Sequence, residues 1–232
     1  MLGEVYENAL AGWVRAELEH ADGRRSPLPV ERWLRVTPGD SSLLDRCQGP
    51  TLDVGSGPGR LTVALAERGL PTLGIDITPY AVRLARSAGA VALLRDVFDA
   101  VPGTGRWPTV LLADGNIGIG GNPVALLKRV TELLMPGGQA LVEVGSPGTP
   151  LRREQVRLCH NGLAGPWFPW ADIGADHIGG LAREVGLAGA EVWSDSGRWF
   201  AALRCPGRRM GTVPPAVPER GRGDGAPEPT GG

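Results

Sequence analysis

Cysteine and lysine are scarce in this sequence. Among its 232 residues the cysteines are Cys47, Cys159 and Cys205, widely spaced and without a CxxC pair. This pattern excludes a disulfide framework and a zinc site, so we expect reduced thiols and no bound metal. Lysine occurs once, at Lys128. Because glycine, alanine, proline and arginine are abundant, we attribute the arginine content to codon bias and infer no function from it.

Strong net charge and long apolar runs are also absent. The formal net charge is -1 and the sequence pI is about 6.3, which gives no indication of nucleic acid or an anionic membrane as a partner. No apolar run approaches the length of a membrane span. The acidic residues Glu4 and Glu7 are atypical of a secretory signal. We therefore expect a cytoplasmic protein, whose 42% hydrophobic content supports one substantial core.

A glycine-rich turn is the most informative stretch of the chain. TLDVGSGPGR, residues 51–60, joins an apolar strand pattern to a helical one. Gly55, Gly57 and Gly59 lack a Cβ, so a ligand can approach the main chain closely there. The free N–H groups at the start of the helix would face that ligand.

Strand and helix patterns alternate around and beyond this turn. Strands are predicted over 51–54, 72–75, 90–94, 109–113, 139–144, 190–194 and 199–204. Helices are predicted over 4–19, 42–47, 60–68, 79–89, 123–135, 151–159 and 172–185. The order predicts an α/β fold with a doubly wound, mostly parallel seven-stranded sheet that ends in a C-terminal antiparallel hairpin.

The chain divides into three parts. Residues 1–48 form a helical lead-in, which could act as a lid over the ligand or as an ordinary packing element. Residues 49–205 form the ligand-binding domain. Residues 206–232 are dominated by glycine, proline, arginine and glutamate without periodicity, so we predict a disordered tail.

The spacing of the glycines disfavours a nicotinamide oxidoreductase. A GxGxxG fingerprint that began at Gly55 would need glycine at position 60, where the chain has Arg60. A fingerprint that began at Gly57 would need glycine at position 62, where the chain has Thr62. The dinucleotide pattern is therefore not met in either frame.

Four motifs, LDVGSGPG, GIDIT, LLRDVF and LLMPGGQALVEV, follow one another between Leu52 and Val144. This ordered set resembles the class I S-adenosylmethionine-dependent methyltransferases, whose sheet is Rossmann-like. The resemblance implies S-adenosyl-L-methionine as the cofactor. The motif of the methyltransferases that act on nucleobase amines is replaced here by ADGNIGIGGNP, so such an acceptor is not expected.

The resemblance also implies how the first two motifs hold the cofactor. Gly55, Gly57 and Gly59 would approach its methionine end, and Asp53 would lie near its ammonium group. Asp76 matches the acid that binds both ribose hydroxyls. A carboxylate suits this role because it accepts two hydrogen bonds and donates none.

At the adenine end, the resemblance assigns three further residues. Ile77 would flank the ring, Asp96 would accept from its exocyclic amine, and Val97 would offer a backbone N–H. Each acid could alternatively be a solvated strand end or a helix cap. Several acids at successive strand ends, however, share the rim where such sheets bind ligands.

Asp114 and Asn116 follow the fourth strand of the pattern, where this family often contacts cofactor or substrate. We assign Asp114 to the cofactor and Asn116 to the substrate. Asp, Asn and Gly also form turns without chemistry, and that alternative stays open.

The segment after residue 145 is where an acceptor pocket should form. His160 and His177 are candidates for a catalytic base, because histidine transfers protons near neutral pH, although a lone histidine is more often structural or exposed. Trp167, Phe168 and Trp170 could line the acceptor pocket. Core packing or a dimer contact is the alternative role for these rings.

We therefore expect methyl transfer to a small-molecule acceptor. A non-catalytic domain that binds S-adenosylmethionine and serves as a partner or regulatory module is the alternative. A solvent-closed pocket would favour the enzyme, and an open, featureless face would favour the module. A homodimer is compatible with either function.

Overall fold

The computed structural model describes residues 3–207. Its helices are α1 (Glu4–Leu10), α2 (Val30–Trp33), α3 (Asp40–Leu44), α4 (Arg60–Glu67), α5 (Pro79–Ser87), α6 (Pro123–Leu133) and α7 (Ala175–Glu184), with a 3-10 turn η1 (Asn116–Gly121). Its strands are β1 (Glu17–His20), β2 (Arg25–Pro27), β3 (Thr51–Val54), β4 (Thr72–Asp76), β5 (Ala92–Leu94), β6 (Trp107–Leu112), β7 (Leu134–Val144), β8 (Arg152–His160), β9 (Leu163–Ala164), β10 (Phe168–Asp172), β11 (Ala188–Asp195) and β12 (Arg198–Arg204). Within this part of the chain, no helix is long and apolar enough to cross a membrane.

Seven strands form the main sheet in the order β5-β4-β3-β6-β7-β12-β11. The first five are parallel to their neighbours, whereas β12 runs antiparallel to both β7 and β11. This confirms the predicted doubly wound, mostly parallel α/β fold with its C-terminal antiparallel hairpin. The strand order reverses beside β3, so a crevice opens there at the carboxyl ends of the strands.

Apolar side chains cover both faces of the main sheet. Neighbouring residues of β6 illustrate the alternation: Leu112 belongs to the cluster under α6 and α7, and Leu111 to the cluster under α3 and α4. Successive side chains of a strand point to opposite faces. Central strands are therefore buried throughout, as all four residues of β3 are.

A second, antiparallel sheet follows the order β10-β8-β1-β2, with β9 paired to β8. The helix predicted over 151–159 is wrong, because this segment is strand β8. Val156 and Leu158 are buried and Arg157 between them is less so, which is the period of a strand. The predicted N-terminal helix also ends early, at Leu10, and Glu17 opens strand β1.

The N-terminal lead-in packs on the rest of the domain. Val5 and Tyr6 of α1 share a buried cluster with Ala81 of α5 and Leu158 of β8. The lead-in thereby joins the main sheet's helices to the second sheet. The predicted disordered tail lies outside the described residues, except for its first two positions, 206 and 207.

A second glycine turn docks the second sheet against the main one. A Cβ on Gly118 would lie 2.6 Å from Nε1 of Trp170 and closer still to the carbonyl oxygen of Ala171. A Cβ on Gly121 would lie 2.7 Å from Cβ of Pro169. Strand β10 can therefore approach η1 only because these positions carry no side chain.

Gly118→Ala tests this close approach. Gly118 has no positive φ, so alanine is conformationally permitted and only the steric conflict with β10 should count. We expect a loss of about 1–3 kcal/mol in the free energy of unfolding in urea, the usual range for overpacking. Gly180→Ala in α7, where an added Cβ meets open space, should instead stabilise the protein by about 0.5–1 kcal/mol. Equal stability of the two variants would contradict the docking role of Gly118.

Candidate functional site

A cavity of about 470 Å³ lies at the carboxyl ends of the main-sheet strands. One half is bordered by the first glycine turn and by the residues that follow β4, β5 and β6. The other half is bordered by α1, α2 and the second sheet. The predicted residues that line it are Gly55, Asp76, Ile77, Asp96, Val97, Asp114, Asn116, Phe168 and Trp170.

The first glycine turn has a left-handed backbone at all three glycines. A Cβ on Gly59 would lie 2.8 Å from Cβ of Ala85, so this glycine lets α4 pack closely on α5. The position over Gly57 is open, with no atom within 4 Å. Gly57 and Gly59 do not border the cavity, whereas Gly55 does.

Asp76 ties the glycine turn to the end of β4. One carboxylate oxygen accepts a hydrogen bond from the backbone N–H of Gly57 at 2.9 Å, and the other accepts from Thr78 at 2.8 Å. Burial raises the pKa of this carboxyl, and the backbone hydrogen bonds from Thr78 and Gly57 oppose the rise. The side chain is thus fixed in position at the cavity wall.

Asp96, Val97 and Ile77 border the cavity near the ends of β4 and β5. One oxygen of Asp96 accepts from the backbone N–H of Phe98 at 2.9 Å. Ile77 is 43% exposed and presents an apolar surface. The structure therefore brings the predicted adenine-side residues together with Asp76.

Asp53 lies apart from the cavity lining. Its side chain is buried and accepts a hydrogen bond from the hydroxyl of Thr62 at 2.7 Å. Burial raises the pKa of the Asp53 carboxyl to about 6, against the opposing effects of the Thr62 hydrogen bond and of Arg60. The hydrogen bond to Thr62 ties the end of β3 to the first turn of α4.

Asp114 lines the cavity in an unusual backbone conformation, with φ of 53°. Its N–H donates to Glu143 at 2.6 Å, and its carboxylate accepts two hydrogen bonds from Arg60, at 2.6 and 3.1 Å. Burial raises the pKa of this carboxyl to about 6, although the Arg60 charge opposes the rise. The left-handed backbone is held by these contacts.

Arg60 and Asp114 belong to a larger group of buried charges, the ionic cluster, which consists of Asp40, Arg60, Asp114, Glu143 and Arg198. Asp40 is fully buried and accepts from Arg60 at 3.0 Å and from Arg198 at 2.6 Å. Arg198 also donates to both oxygens of Glu143, at 2.9 and 2.7 Å. The cluster joins α3, α4, β7, β12 and the turn after β6.

Sequence reasoning missed four of the five cluster members. Arg60 was noted only because it interrupts the dinucleotide fingerprint. Glu143 could have been found from the sequence, because it is a charged residue within an otherwise apolar strand. Asp40 and Arg198 lie more than 150 residues apart, and no local pattern could pair them.

Asn116 lines the cavity and also braces the glycine turn. Its amide nitrogen lies 2.9 Å from the carbonyl oxygens of both Val54 and Gly55. The side-chain nitrogen is therefore engaged by the main chain.

The half of the cavity opposite the carboxylates is apolar. The side chains that form it come from α1, α2, the loop before α2 and the second sheet: Tyr6, Leu18, Leu28, Trp33, Leu158, Phe168 and Trp170. Trp167 does not border the cavity; the Arg157 guanidinium lies 4.5 Å from its ring centroid. Two of the three aromatic residues predicted for the acceptor pocket thus lie on this apolar wall.

His160 and His177 do not line the cavity. Nδ1 of His160 lies 2.8 Å from the carbonyl oxygen of Arg15, on the second sheet. The side chain of His177 is 51% exposed, on α7. The structure does not bring either imidazole to the carboxylates.

Comparison with known proteins identifies the central segment. Residues 52–142 match a family model described as a methyltransferase domain. An ATP synthase lysine N-methyltransferase of Rattus norvegicus is 39% identical over 44 residues, which are 19% of this chain and 20% of that protein. The match spans about a fifth of that relative's length.

Solved structures share the fold. A methyltransferase from Bacteroides fragilis, in complex with S-adenosyl-L-homocysteine, superposes with a TM-score of 0.73 at 21% identity, over 88% of this chain and 94% of that one. The 1,6-didemethyltoxoflavin-N1-methyltransferase of Burkholderia thailandensis gives a TM-score of 0.51 at 18% identity, over 69% and 72% of the two chains. Together with the family model, they confirm the methyltransferase resemblance predicted from the sequence.

Arg198→Met tests the ionic cluster. The substitution leaves buried Asp40 and Glu143 without their strongest partner while it keeps an apolar stem. We expect the free energy of unfolding to fall by about 3–5 kcal/mol, as for other broken buried pairs. Arg68→Met removes a pair with Asp45 whose side chains are 37% and 69% exposed, and it should cost less than about 1 kcal/mol. If the two variants lost similar amounts of unfolding free energy, the buried cluster would contribute no more to stability than an exposed ion pair.

Asp53→Asn tests the buried carboxyl. The pKa of Asp53 is raised from 3.8 to about 6, so between these values the folded state binds more protons than the unfolded one, and stability falls as pH rises. Asparagine removes this penalty and still accepts from Thr62. At pH 8 we expect the variant to be more stable by about 3 kcal/mol, and the gain should vanish near pH 4. Urea unfolding across this range measures it, with exposed Asp99→Asn as the control; a pH-independent difference would refute the explanation.

Proposed function

We propose that this chain, which carries a class I S-adenosylmethionine-dependent methyltransferase domain over residues 52–142, transfers a methyl group from S-adenosyl-L-methionine to a small-molecule acceptor. One observation carries the proposal. Strand-end carboxylates beside a glycine turn, and an apolar wall from a separate sheet, border the same cavity. The first half suits the cofactor, and the second suits an acceptor.

The polar groups in the half of the cavity beside the glycine turn fit the cofactor. Each oxygen of Asp76 uses one acceptor site on a backbone N–H. A carboxylate has about four such sites, so the remaining ones can accept from two ribose hydroxyls. Ile77 offers an apolar surface to the adenine, and Asp96 offers a carboxylate oxygen to its amine. Gly55 and Ser56 bring the main chain of the glycine turn to the cavity wall, where the methionine end would lie.

S-adenosyl-L-methionine supplies a methyl group on a positively charged sulfur, which an in-line displacement transfers. The protein then has to orient the acceptor and exclude water. Tyr6 and Leu158 are buried at the cavity wall, and Trp33 packs against Tyr6 with ring centroids 6.1 Å apart. The lead-in helix and second sheet thus cover the half of the cavity opposite the carboxylates, which is where we place the acceptor.

This cover also weighs against a non-catalytic module. A domain that only binds the cofactor has no need for a second apolar surface opposite the carboxylates. In this chain an entire additional sheet, together with α1, supplies that surface. The arrangement supports the enzyme.

Asp76→Ala tests the cofactor site. We expect calorimetric titration to give micromolar binding of S-adenosyl-L-methionine and S-adenosyl-L-homocysteine to the wild type. The variant should bind each at least tenfold more weakly, because it loses charge-assisted hydrogen bonds of about 1.5–3 kcal/mol. Asp99→Ala, at an exposed position outside the cavity, should bind like the wild type. Unchanged affinity in a folded Asp76→Ala protein, or no binding by the wild type, would refute the site.

A further inference from the structure

The second sheet contributes no charged side chain to the cavity within the described part of the chain. Its strands β1 and β8, with the sequences ELEH and RREQVRLCH, are nevertheless rich in charge. They border the cavity with Leu18 and Leu158. Glu19 lies on the other face of the sheet, where it accepts from Arg25 and Arg157 at 3.0 and 2.6 Å. The strand period thus keeps the charges of this sheet out of the cavity.

Four aromatic rings make up much of the same half of the cavity. The centroids of Tyr6 from α1 and Trp33 from α2 lie 6.1 Å apart, with an interplanar angle of 59°. Phe168 and Trp170 from β10 lie 6.2 Å apart, edge to face at 89°. Aromatic rings attract one another beyond the effect of the area that they bury. Three separate elements therefore present ring surface to one ligand.

The charged groups in the facing half of the cavity are already engaged. In the proposed complex, Asp76 and Asp96 bind the ribose and the adenine of the cofactor. Asp114 and Arg60 are joined by two hydrogen bonds, of 2.6 and 3.1 Å. Arg95 precedes Asp96 and is exposed to solvent. An ionised acceptor would therefore lose its hydration without gaining a free counter-charge in the cavity, which is costly.

The hydroxyl of Tyr6 adds an uncharged polar group to the apolar half. Tyr6 is 7% exposed and borders the cavity, and within residues 3–207 its hydroxyl forms no hydrogen bond. Burial raises the pKa of this phenol, and the charges of Asp76 and Asp114 raise it further. The phenol is therefore uncharged, and it lies close enough to both carboxylates to be affected by their charge. A buried hydroxyl without a protein partner is stabilised when a ligand supplies one.

We propose that the acceptor is an uncharged, flat aromatic compound that packs against the rings of Trp33, Phe168 and Trp170, and whose polar substituent forms a hydrogen bond with the hydroxyl of Tyr6. This inference rests on the proposed function, to which it adds the chemical class and the orientation of the acceptor. The substituent that meets Tyr6 is directed toward the cofactor half. A hydrogen bond there fixes the orientation in which the acceptor meets the methyl group.

Four small probes test the class of acceptor. The protein is saturated with S-adenosyl-L-homocysteine and titrated calorimetrically at neutral pH with 1-naphthalenemethanol, 1-naphthoate, 1-naphthylmethylammonium and decahydro-1-naphthalenemethanol. The first three share one ring system and are neutral, anionic and cationic, and the fourth is neutral with a saturated ring system. We expect 1-naphthalenemethanol to bind about tenfold or more tightly than either ion, because only the ions lose hydration without a counter-charge. It should bind about threefold or more tightly than the saturated alcohol, because it alone offers aromatic rings.

Matched substitutions locate the rings that bind the probe. Trp33→Leu and Phe168→Leu each remove a ring and keep an apolar side chain, so each should weaken the binding of 1-naphthalenemethanol about threefold to tenfold. Each should leave the affinity for S-adenosyl-L-homocysteine within about twofold, because the removed ring lies in the acceptor half. Trp13→Leu changes a ring that is 77% exposed and outside the cavity, and it should change neither affinity.

Tyr6→Phe tests the orientation of the acceptor. It removes the hydroxyl and keeps the ring, so the binding of 1-naphthalenemethanol should weaken about threefold to tenfold through the loss of one hydrogen bond. The binding of 1-methylnaphthalene, which has no polar substituent, should stay the same. The affinity for S-adenosyl-L-homocysteine should stay within about twofold.

The outcomes separate the inference from the proposed function. Binding of either ion or of the saturated alcohol as tight as that of 1-naphthalenemethanol overturns the inference, and so does failure of 1-naphthalenemethanol to bind while S-adenosyl-L-homocysteine binds. Equal binding of this probe by Trp33→Leu, Phe168→Leu and the wild type also overturns it. If Tyr6→Phe weakens S-adenosyl-L-homocysteine and not the probe, the hydroxyl serves the cofactor and the orientation is wrong. Failure of S-adenosyl-L-homocysteine to bind the folded wild type overturns the proposed function as well.

Discussion

Buried charges at the strand ends constrain the rest of this structure. Fully buried Asp40 is stabilised by hydrogen bonds from Arg60 and Arg198 and from the backbone N–H and hydroxyl of Thr37. Since Arg198 also holds Glu143, and Glu143 accepts the N–H of Asp114, one chain of contacts fixes the left-handed backbone at the cavity wall. The acidic surface that faces a ligand therefore depends on residues drawn from segments far apart in sequence.

Sequence reasoning located the cavity because the carboxyl ends of parallel strands share one edge. Asp76, Asp96 and Asp114 each follow or close a predicted strand, and the structure brings all three to that edge. Asp53 shows the limit of this reasoning. It lies one residue inside β3, so its side chain leaves the sheet on a face and is buried against Thr62 of α4.

The second sheet was not predicted, because β1, β2 and β9 are short and β1 pairs with a segment far along the chain. Glu17 pairs with Cys159 across more than 140 residues. The four residues of β1 are too few for the strand period to outweigh a helical one, and the apolar residues of α1 just before them continue the helical spacing. Strands of the main sheet such as β6 consist mostly of apolar residues, whereas β1 and β8 carry several charged ones, so pairing rather than local pattern determines the second sheet.

The two glycine turns permit close packing at different places. In the first, a Cβ on Gly55 would meet Asn116 and one on Gly59 would meet Ala85, whereas the position over Gly57 is open. The second has its space filled by β10: Gly118 and Gly121 let Pro169 and Trp170 approach so closely that no side chain could intervene. A side chain at either glycine would displace β10, and with it the rings of Phe168 and Trp170 that border the cavity. The contacts that dock the second sheet therefore also shape the apolar wall of the cavity.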